Sequence, residues 1–305
     1  MAKIDILLAS YNGGNYIEQQ ILSIIAQQYQ NWCLLIHDDG SSDNTVKIVL
    51  KWSSIDSRIR LIDDNIKYME VATNFLHLLN YSTSDYIMFC DQDDIWFDNK
   101  LQLMYDAIIH RNNNIPQVIY SNAYIWKPDE GIKGLATHTF PRKLGQFLFL
   151  NSGMQGCTSI FNKAMKERLQ EWSGGCAMHD HLLHLMGLTL GEVLYLPTVL
   201  MLYRQHDNNV TGKASAKILD WKKIKHKSVP VVCIKHFRSV ETFYEKFGMF
   251  IRESDKRAIK QYLRLPTKNI IEKILIIMLY KFQLFNSSFL LLLKVTTRSY
   301  IKLDD

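Results

Sequence analysis

Three carboxylates occupy four positions at Asp91-Gln92-Asp93-Asp94, directly after the apolar run Tyr86-Ile87-Met88-Phe89-Cys90. A second acidic cluster, Asp38-Asp39-Gly40-Ser41, follows the apolar run Trp32 to Ile36. A solvated turn is the plain explanation, because Asp favours turns and helix caps. Carboxylates at the carboxyl end of a buried strand nevertheless stand where α/β folds bind their ligands. The first apolar run, Ile4 to Leu8, carries Ala9-Ser10-Tyr11-Asn12 to the same edge if the strands are parallel. The sequence has no Gly-x-x-x-x-Gly-Lys-Ser/Thr loop and no Gly-x-Gly-x-x-Gly after that first run, so it offers no helix-terminus cradle for phosphate. Phosphates without such a cradle are usually held through a hard divalent cation. Mg²⁺ or Mn²⁺ bound by one or two carboxylates plus substrate oxygens is the chemistry these clusters suit.

The elements that must position these groups are legible as alternating periods. Ile17, Ile21, Ile24 and Ile25 share one helical face, with Asn15 as the expected cap. Thr45 to Trp52 reads as a helix, Ile59 to Ile62 as a strand, and Phe75 to Leu79 as a helix beneath the next strand, Tyr86 to Cys90. Repeated βα units of this size predict a mostly parallel, buried sheet with right-handed crossovers. Leu101 to His110 is expected to be helical and Val118 to Trp126 to be a longer strand, with polar loop following to about Pro141. Ala164 to Trp172 and His181 to Leu188 are expected helices, and Val193 to Leu196 a strand closed by Pro197.

At 305 residues, with 47% hydrophobic and 22% charged residues, the chain can build one large α/β domain with an appendage. The expected division is a catalytic unit over 1–212 and a basic, mainly helical region over 213–305. Charge is divided along the same line. Residues 1–100 carry 7 Lys/Arg against 14 Asp/Glu, and residues 201–305 carry 21 against 9. That asymmetry fits a cation-seeking first half and a tail suited to phosphates or an anionic surface. The five cysteines are odd in number and scattered without a C-x-x-C pair, which fits a reducing compartment and argues against a zinc or disulfide framework. No basic-then-apolar leader is seen, and the expectation is a cytoplasmic protein, peripheral at most to the inner face of the cell membrane.

The segments ILLASYNGGNYIEQQILSI, LIHDDGSSD, YIMFCDQDDIWFDNKL, MHDHLLHL and LYRQHDNNVTG resemble, in this order, the family-2 inverting glycosyltransferases of the GT-A fold. The likeness is to rhamnosyltransferase-type bacterial members that build surface polysaccharides, and it covers roughly residues 3–212. The resemblance implies that Ala9, Tyr11 and Asp39 line the base of a nucleoside diphosphate, with Asp39 accepting from the pyrimidine ring N–H. It implies that Asp91 meets the ribose and that Asp93 binds the metal bridging the diphosphate. His206 would approach that metal from a late loop, and Asp180 would be the general base. Asn74 keeps a claim on the nucleotide, although Lys67 stands where relatives place a glycine. His181 replaces the tryptophan that more typically follows the base, and the Gln-x-x-Arg-Trp motif of processive synthases is absent. The implied donor is a dTDP- or UDP-linked sugar, and the implied acceptor a glycan or lipid-linked saccharide.

Each residue also has a structural reading: Asp39 and Asp180 as helix N-caps, His206 as a hydrogen-bonding loop residue, Asp94 as the residue that orders its turn, and Gly156-Cys157-Thr158 as core strand or acceptor floor. Two other classes compete. A catalytically degenerate, membrane-docked scaffold would have lost the base or metal aspartate, and neither is lost. A phosphohydrolase needs an Asp nucleophile after the first strand, where Ala9-Ser10-Tyr11 stands. In the tail, six lysines between Lys213 and Lys227, and Lys273 and Lys281 among apolar residues from Ile270 to Leu293, suit an anionic membrane surface or a hairpin covering the sheet. No nucleic-acid module is present.

Overall fold

The computed structural model describes residues 2–68, 70–150, 153–206, 209 and 230–301. The lysine run 213–227 lies outside the described residues. The chain opens as β1 (Ile4–Ser10), α1 (Ile17–Ile25), β2 (Trp32–Asp38), α2 (Thr45–Ile55), β3 (Ile59–Ile62), α3 (Val71–Leu78) and β4 (Tyr86–Cys90). β1 lies between β2 and β4 and β3 flanks β2, all in parallel. Both faces of β1 are buried: Ile4, Ile6 and Leu8 enter one hydrophobic cluster and Leu7 the other. Alternate side chains leave opposite faces of a strand, so a near-continuous apolar run is what a sheet covered on both sides requires.

The second half adds β5 (Ile95–Trp96), α4 (Lys100–Ile108), β6 (Gln117–Lys127), β7 (Gly131–Leu135), α5 (Leu144–Phe147), β8 (Ser159–Asn162), α6 (Lys163–Gln170), α7 (His179–Leu190) and β9 (Glu192–Arg204). The sheet runs β3-β2-β1-β4-β8-β6-β9-β5, with β7 paired to β6. It is mixed: β8 is antiparallel to both β4 and β6, while β6 and β9 are parallel.

Three local expectations need correction. α1 begins after Tyr16, not at a cap on Asn15. The stretch read as polar loop contains β7, paired antiparallel to β6. Pro197 does not close its strand, because β9 continues through it to Arg204. The β6–β9 register shifts between Tyr120 and Asn122, so the residue without an N–H falls at an irregularity where the ladder does not need one.

After the undescribed segment come α8 (Ile234–Phe247), α9 (Glu253–Arg264), α10 (Ile270–Leu279) and α11 (Ser288–Thr297). Val240, Phe243, Ile259, Tyr262, Ile277 and Leu291 from these helices join the cluster that holds Leu7 and Phe89 of the sheet and Phe75 of α3. The tail therefore covers the sheet. The outer side of α10 is different: Ile271, Leu275 and Leu279 are 68%, 63% and 75% exposed. Among the described residues no helix is long and apolar enough to cross a membrane.

Candidate active site

β1, β2 and β4 are parallel, so their carboxyl ends deliver Ala9–Asn12, Asp38-Asp39 and Asp91–Asp94 to one edge of the sheet. A cleft of about 510 Å³ opens there. Its wall includes every site residue named from the sequence: Ala9, Tyr11, Asp39, Asn74, Asp91, Asp93, Asp180 and His206.

Neighbouring side chains divide the labour in the first acidic loop. Asp38 is consumed by structure, accepting from Ser10 Oγ, Gly40 N, Ser41 N and Ser41 Oγ at 2.6–3.1 Å. Asp39 does not cap α2, whose N-cap is Asn44. Its Oδ1 accepts instead from Tyr68 N, which leaves its carboxylate on the cleft wall. Gln92 ties the first and fourth strand ends together, its amide accepting from Tyr11 N and donating to Tyr11 O, both at 3.0 Å.

The second acidic loop is held from behind by buried groups. Lys100 is fully buried at the start of α4, with Nζ donating to Cys157 O at 2.6 Å and lying 3.7 Å above the Trp96 ring. Burial pushes its amine down to about 8, against the pull of the nearby thiols and carboxylates. Burial and then the Asp93 carboxylate push Asp91 up to about 6. Asp94, fully buried, is held well above the usual carboxylate range by burial and then by Asp93 and Asp91. Its Oδ1 accepts from Arg204 N at 3.2 Å, so Asp94 does order its turn.

The long β9 explains how a residue more than 100 positions later reaches this turn. β5 pairs antiparallel with β9, Ile95 opposite Leu202 and Trp96 opposite Met201. That pairing sets the end of β9 beside the Asp91–Asp94 turn. The Arg204 guanidinium donates to Asp93 O and to Gln19 Oε1, and faces the rings of Tyr16 and Trp126. His206 stacks on Tyr16 with centroids 4.5 Å apart, and its Nε2 lies 2.8 Å from Asp93 Oδ2. A carboxylate oxygen and an imidazole nitrogen thus converge on the cleft beside Asp91. One carboxylate oxygen and one imidazole nitrogen leave most coordination positions to substrate oxygens and water, a set that fits Mn²⁺ or Mg²⁺.

Asp180 lines the same cleft from the first turn of α7. It is not the N-cap, which is Met178. Oδ1 accepts from His181 N at 2.6 Å, and the helix N-terminus favours its negative charge. His179 is buried against Phe75 and Phe89, with ring centroids 4.0 and 4.9 Å away, and burial pushes its imidazole down to about 3. It is neutral at physiological pH. His181, standing where a tryptophan is usual, points into the core instead, stacked on Phe147 and edge-on to His236. Gly156 lines the cleft, whereas Cys157 and Thr158 are buried behind it.

Sequence reasoning passed over Gln92, Lys100, Tyr16 and Arg204. Arg204 carried a usable signal, its place in Tyr203-Arg204-Gln205-His206. Lys100 carried none, since a lysine opening an amphipathic helix looks like a surface residue.

The family model described as Glycosyl transferase family 2 matches residues 5–169. A dTDP-rhamnosyl transferase of Shigella flexneri is 31% identical over 219 residues, covering 67% of this chain and 73% of that protein. Among solved structures, S. aureus TarS 1-349 in complex with UDP-GlcNAc superposes with a TM-score of 0.58 at 14% identity, over 91% of this chain and 80% of that one. The mannosyltransferase PcManGT of Pyrobaculum calidifontis, in complex with GDP-Man and Mn²⁺, gives a TM-score of 0.53 at 14% identity, over 90% and 73%. These two carry the GT-A arrangement of the fold.

Proposed function

This chain belongs to glycosyl transferase family 2, and on that footing we propose that it moves one sugar per encounter, with inversion, from a dTDP- or UDP-linked donor to a saccharide hydroxyl. The observation that carries this reading is one cleft shared by Asp39, by the Asp91, Asp93 and His206 group, and by Asp180 of α7. In this reading Ala9, Tyr11, Asp39 and Asn74 receive the base and Asp91 the ribose. Asp93 and His206 hold a divalent cation, whose chemistry is to offset charge growing on the leaving diphosphate. Asp180 takes the proton of the attacking hydroxyl. One carboxylate is enough for a single displacement, and inversion follows from attack on the face opposite the leaving group.

The name of the Shigella relative supports rhamnose as the sugar, and the TarS complex supports a uridine nucleotide. Both bases present the same ring N–H to Asp39. The acceptor is a glycan or lipid-linked saccharide of a surface polysaccharide. The test is a panel of sugar nucleotides in thermal shift with Mn²⁺ or Mg²⁺, followed by product analysis with saccharide acceptors. A binder present at 100 times its Kd stabilises by about 2.7 kcal/mol, a rise of several degrees. If no dTDP- or UDP-sugar raised the melting temperature, the donor class would be wrong. Binding without transfer to any saccharide would favour the degenerate scaffold, against which both Asp93 and Asp180 stand.

The proposal includes a peripheral membrane face on the outer side of α10. Ile271, Leu275 and Leu279 are exposed there, with Lys273 on the same helix and Lys281 just beyond it. Aliphatic side chains buried at a lipid surface are each worth about 1.5–3 kcal/mol, and each nearby lysine about 1 kcal/mol at low salt. The combined Ile271→Glu, Leu275→Glu and Leu279→Glu protein should bind anionic liposomes at least tenfold more weakly in sedimentation, with its melting temperature unchanged. Equal sedimentation of the two proteins at low salt would remove the membrane from the proposal.

A further inference from the structure

We propose that His37, Asp64 and His77 form a second metal site, separate from the Asp93–His206 pair, that takes a transition metal of the Zn²⁺ class without help from a nucleotide. The three residues come from the end of β2, the segment after β3, and α3. One ligand atom from each lies within 4.8 Å of the others. His37 Nε2 stands 3.2 Å from Asp64 Oδ1, and His77 Nε2 bonds Asp64 Oδ2. The cluster is largely enclosed, with side-chain exposures of 2%, 16% and 10% for His37, Asp64 and His77. The partly open Asp64 edge leaves access for an ion.

Proton accounting points to a cation. His37 Nδ1 lies 2.8 Å from Asn74 Oδ1, an oxygen that only accepts, and Asn74 Nδ2 faces His37 O at 3.5 Å. His37 Nδ1 must therefore carry a proton. In its neutral form the ring then turns a bare Nε2 lone pair toward a carboxylate that also only accepts. Either the ring takes a second proton or a cation sits between the two. His77 is arranged in parallel, with Nδ1 2.9 Å from Tyr68 Oη and Nε2 aimed at the same carboxylate. Imidazoles that ligate a metal characteristically donate their other N–H to a fixed acceptor, which orients the ring. His37 has one in Asn74 Oδ1, and the Tyr68 hydroxyl, which accepts as well as donates, can serve His77 in the same way. The carboxylate is further held by Ile66 N at 3.0 Å and Tyr81 Oη at 2.8 Å. Two imidazoles and a carboxylate suit Zn²⁺, with water as a fourth ligand, better than they suit Mg²⁺.

Such an ion would staple the 63–68 segment to the sheet. Tyr68 N donates to Asp39 Oδ1, and Asn74 is bonded to His37, so the staple braces two residues of the cleft wall. That consequence rests on the nucleotide role proposed above, whereas the metal site does not.

The test uses full-length protein stripped by chelator and dialysed. Zn²⁺ alone should bind with one equivalent in calorimetry, and Co²⁺ should give the strong visible absorption of a four- or five-coordinate ion. His77→Ala and Asp64→Ala should each weaken binding by about 100-fold or more, since removing a ligand costs at least as much as removing an outer-shell partner. Asp93→Asn should leave it unchanged. Affinity should fall as pH is lowered, because protons compete with the metal for Nε2. If the variants misfold, the Co²⁺ spectrum of the wild-type protein still decides, since imidazole ligation and octahedral oxygen ligation absorb differently. No Zn²⁺ uptake by the stripped wild type would overturn the proposal. So would an octahedral Co²⁺ spectrum, or binding lost in Asp93→Asn but retained in His77→Ala. None of these outcomes depends on which donor, if any, occupies the cleft.

Discussion

Asp180→Asn is expected to lower turnover by about 10²–10⁴-fold while leaving donor affinity nearly unchanged. The substitution keeps the size of the side chain and its acceptance from His181 N, and removes only the basicity. The groups around Asp39, Asp91 and Asp93 are untouched. The adjacent His179 cannot substitute as base without a large penalty, because burial pushes its imidazole down to about 3 and packs it between Phe75 and Phe89. A kinetic signature follows: kcat falls, and the Kd for the donor nucleotide measured by calorimetry does not. Inversion adds a second readout, since an α-linked donor should give a β-linked product and a β-linked donor an α-linked one. Near-normal turnover in the variant, or retained anomeric configuration by NMR, would remove Asp180 from the role of base.

Asp93→Asn should abolish the metal-dependent part of nucleoside-diphosphate binding without unfolding the protein. The carboxylate that approaches His206 Nε2 at 2.8 Å loses its charge, so the cation site keeps its shape and loses its principal anionic ligand. The fold does not depend on that charge, because Arg204 is anchored to the Asp93 carbonyl and to the Asp94 side chain. The substitution should even relieve strain. Burial and then the Asp93 carboxylate push Asp91 up to about 6. A carboxyl raised in the folded state makes stability fall as pH climbs from the unfolded value, about 3.9, through the folded one. Weakening that shift should hold or raise the melting temperature at pH 7. Calorimetry of UDP and dTDP with Mn²⁺ and with chelator separates the two effects. Equal Mn²⁺-dependent affinity in the variant and the wild type would reject the metal assignment for Asp93.

The parallel half of the sheet was legible because each βα unit carries its own period. Ile4 to Leu8, Trp32 to Ile36 and Tyr86 to Cys90 are apolar on both faces, as strands covered on both sides must be. Once those three are parallel, Tyr11, Asp39, Asp91 and Asp93 converge on one edge with no further information. Asp180 and His206 came from motif resemblance, since their own stretches carry no periodic signal that would bring them to that edge.

What the sequence by itself determined was the covalent order of acidic turns after apolar strands, and with it the class of chemistry. Tertiary structure alone decided which carboxylates stay available. Asp38 and Asp39 are adjacent and chemically identical, yet Asp38 spends its oxygens on Ser10, Gly40 and Ser41 while Asp39 faces the cleft. Asp94 is buried under Arg204 N, whereas Asp93 meets His206. Lys100 looked like a surface residue and sits fully buried beneath the acidic turn. His37, Asp64 and His77 gave no sign of each other across 40 positions and meet around one carboxylate. The physical reason is common to all of these. Hydrogen-bond partners, burial and the field of neighbouring charges are set by which strands pair and in what register. A one-residue pattern within a turn carries none of that.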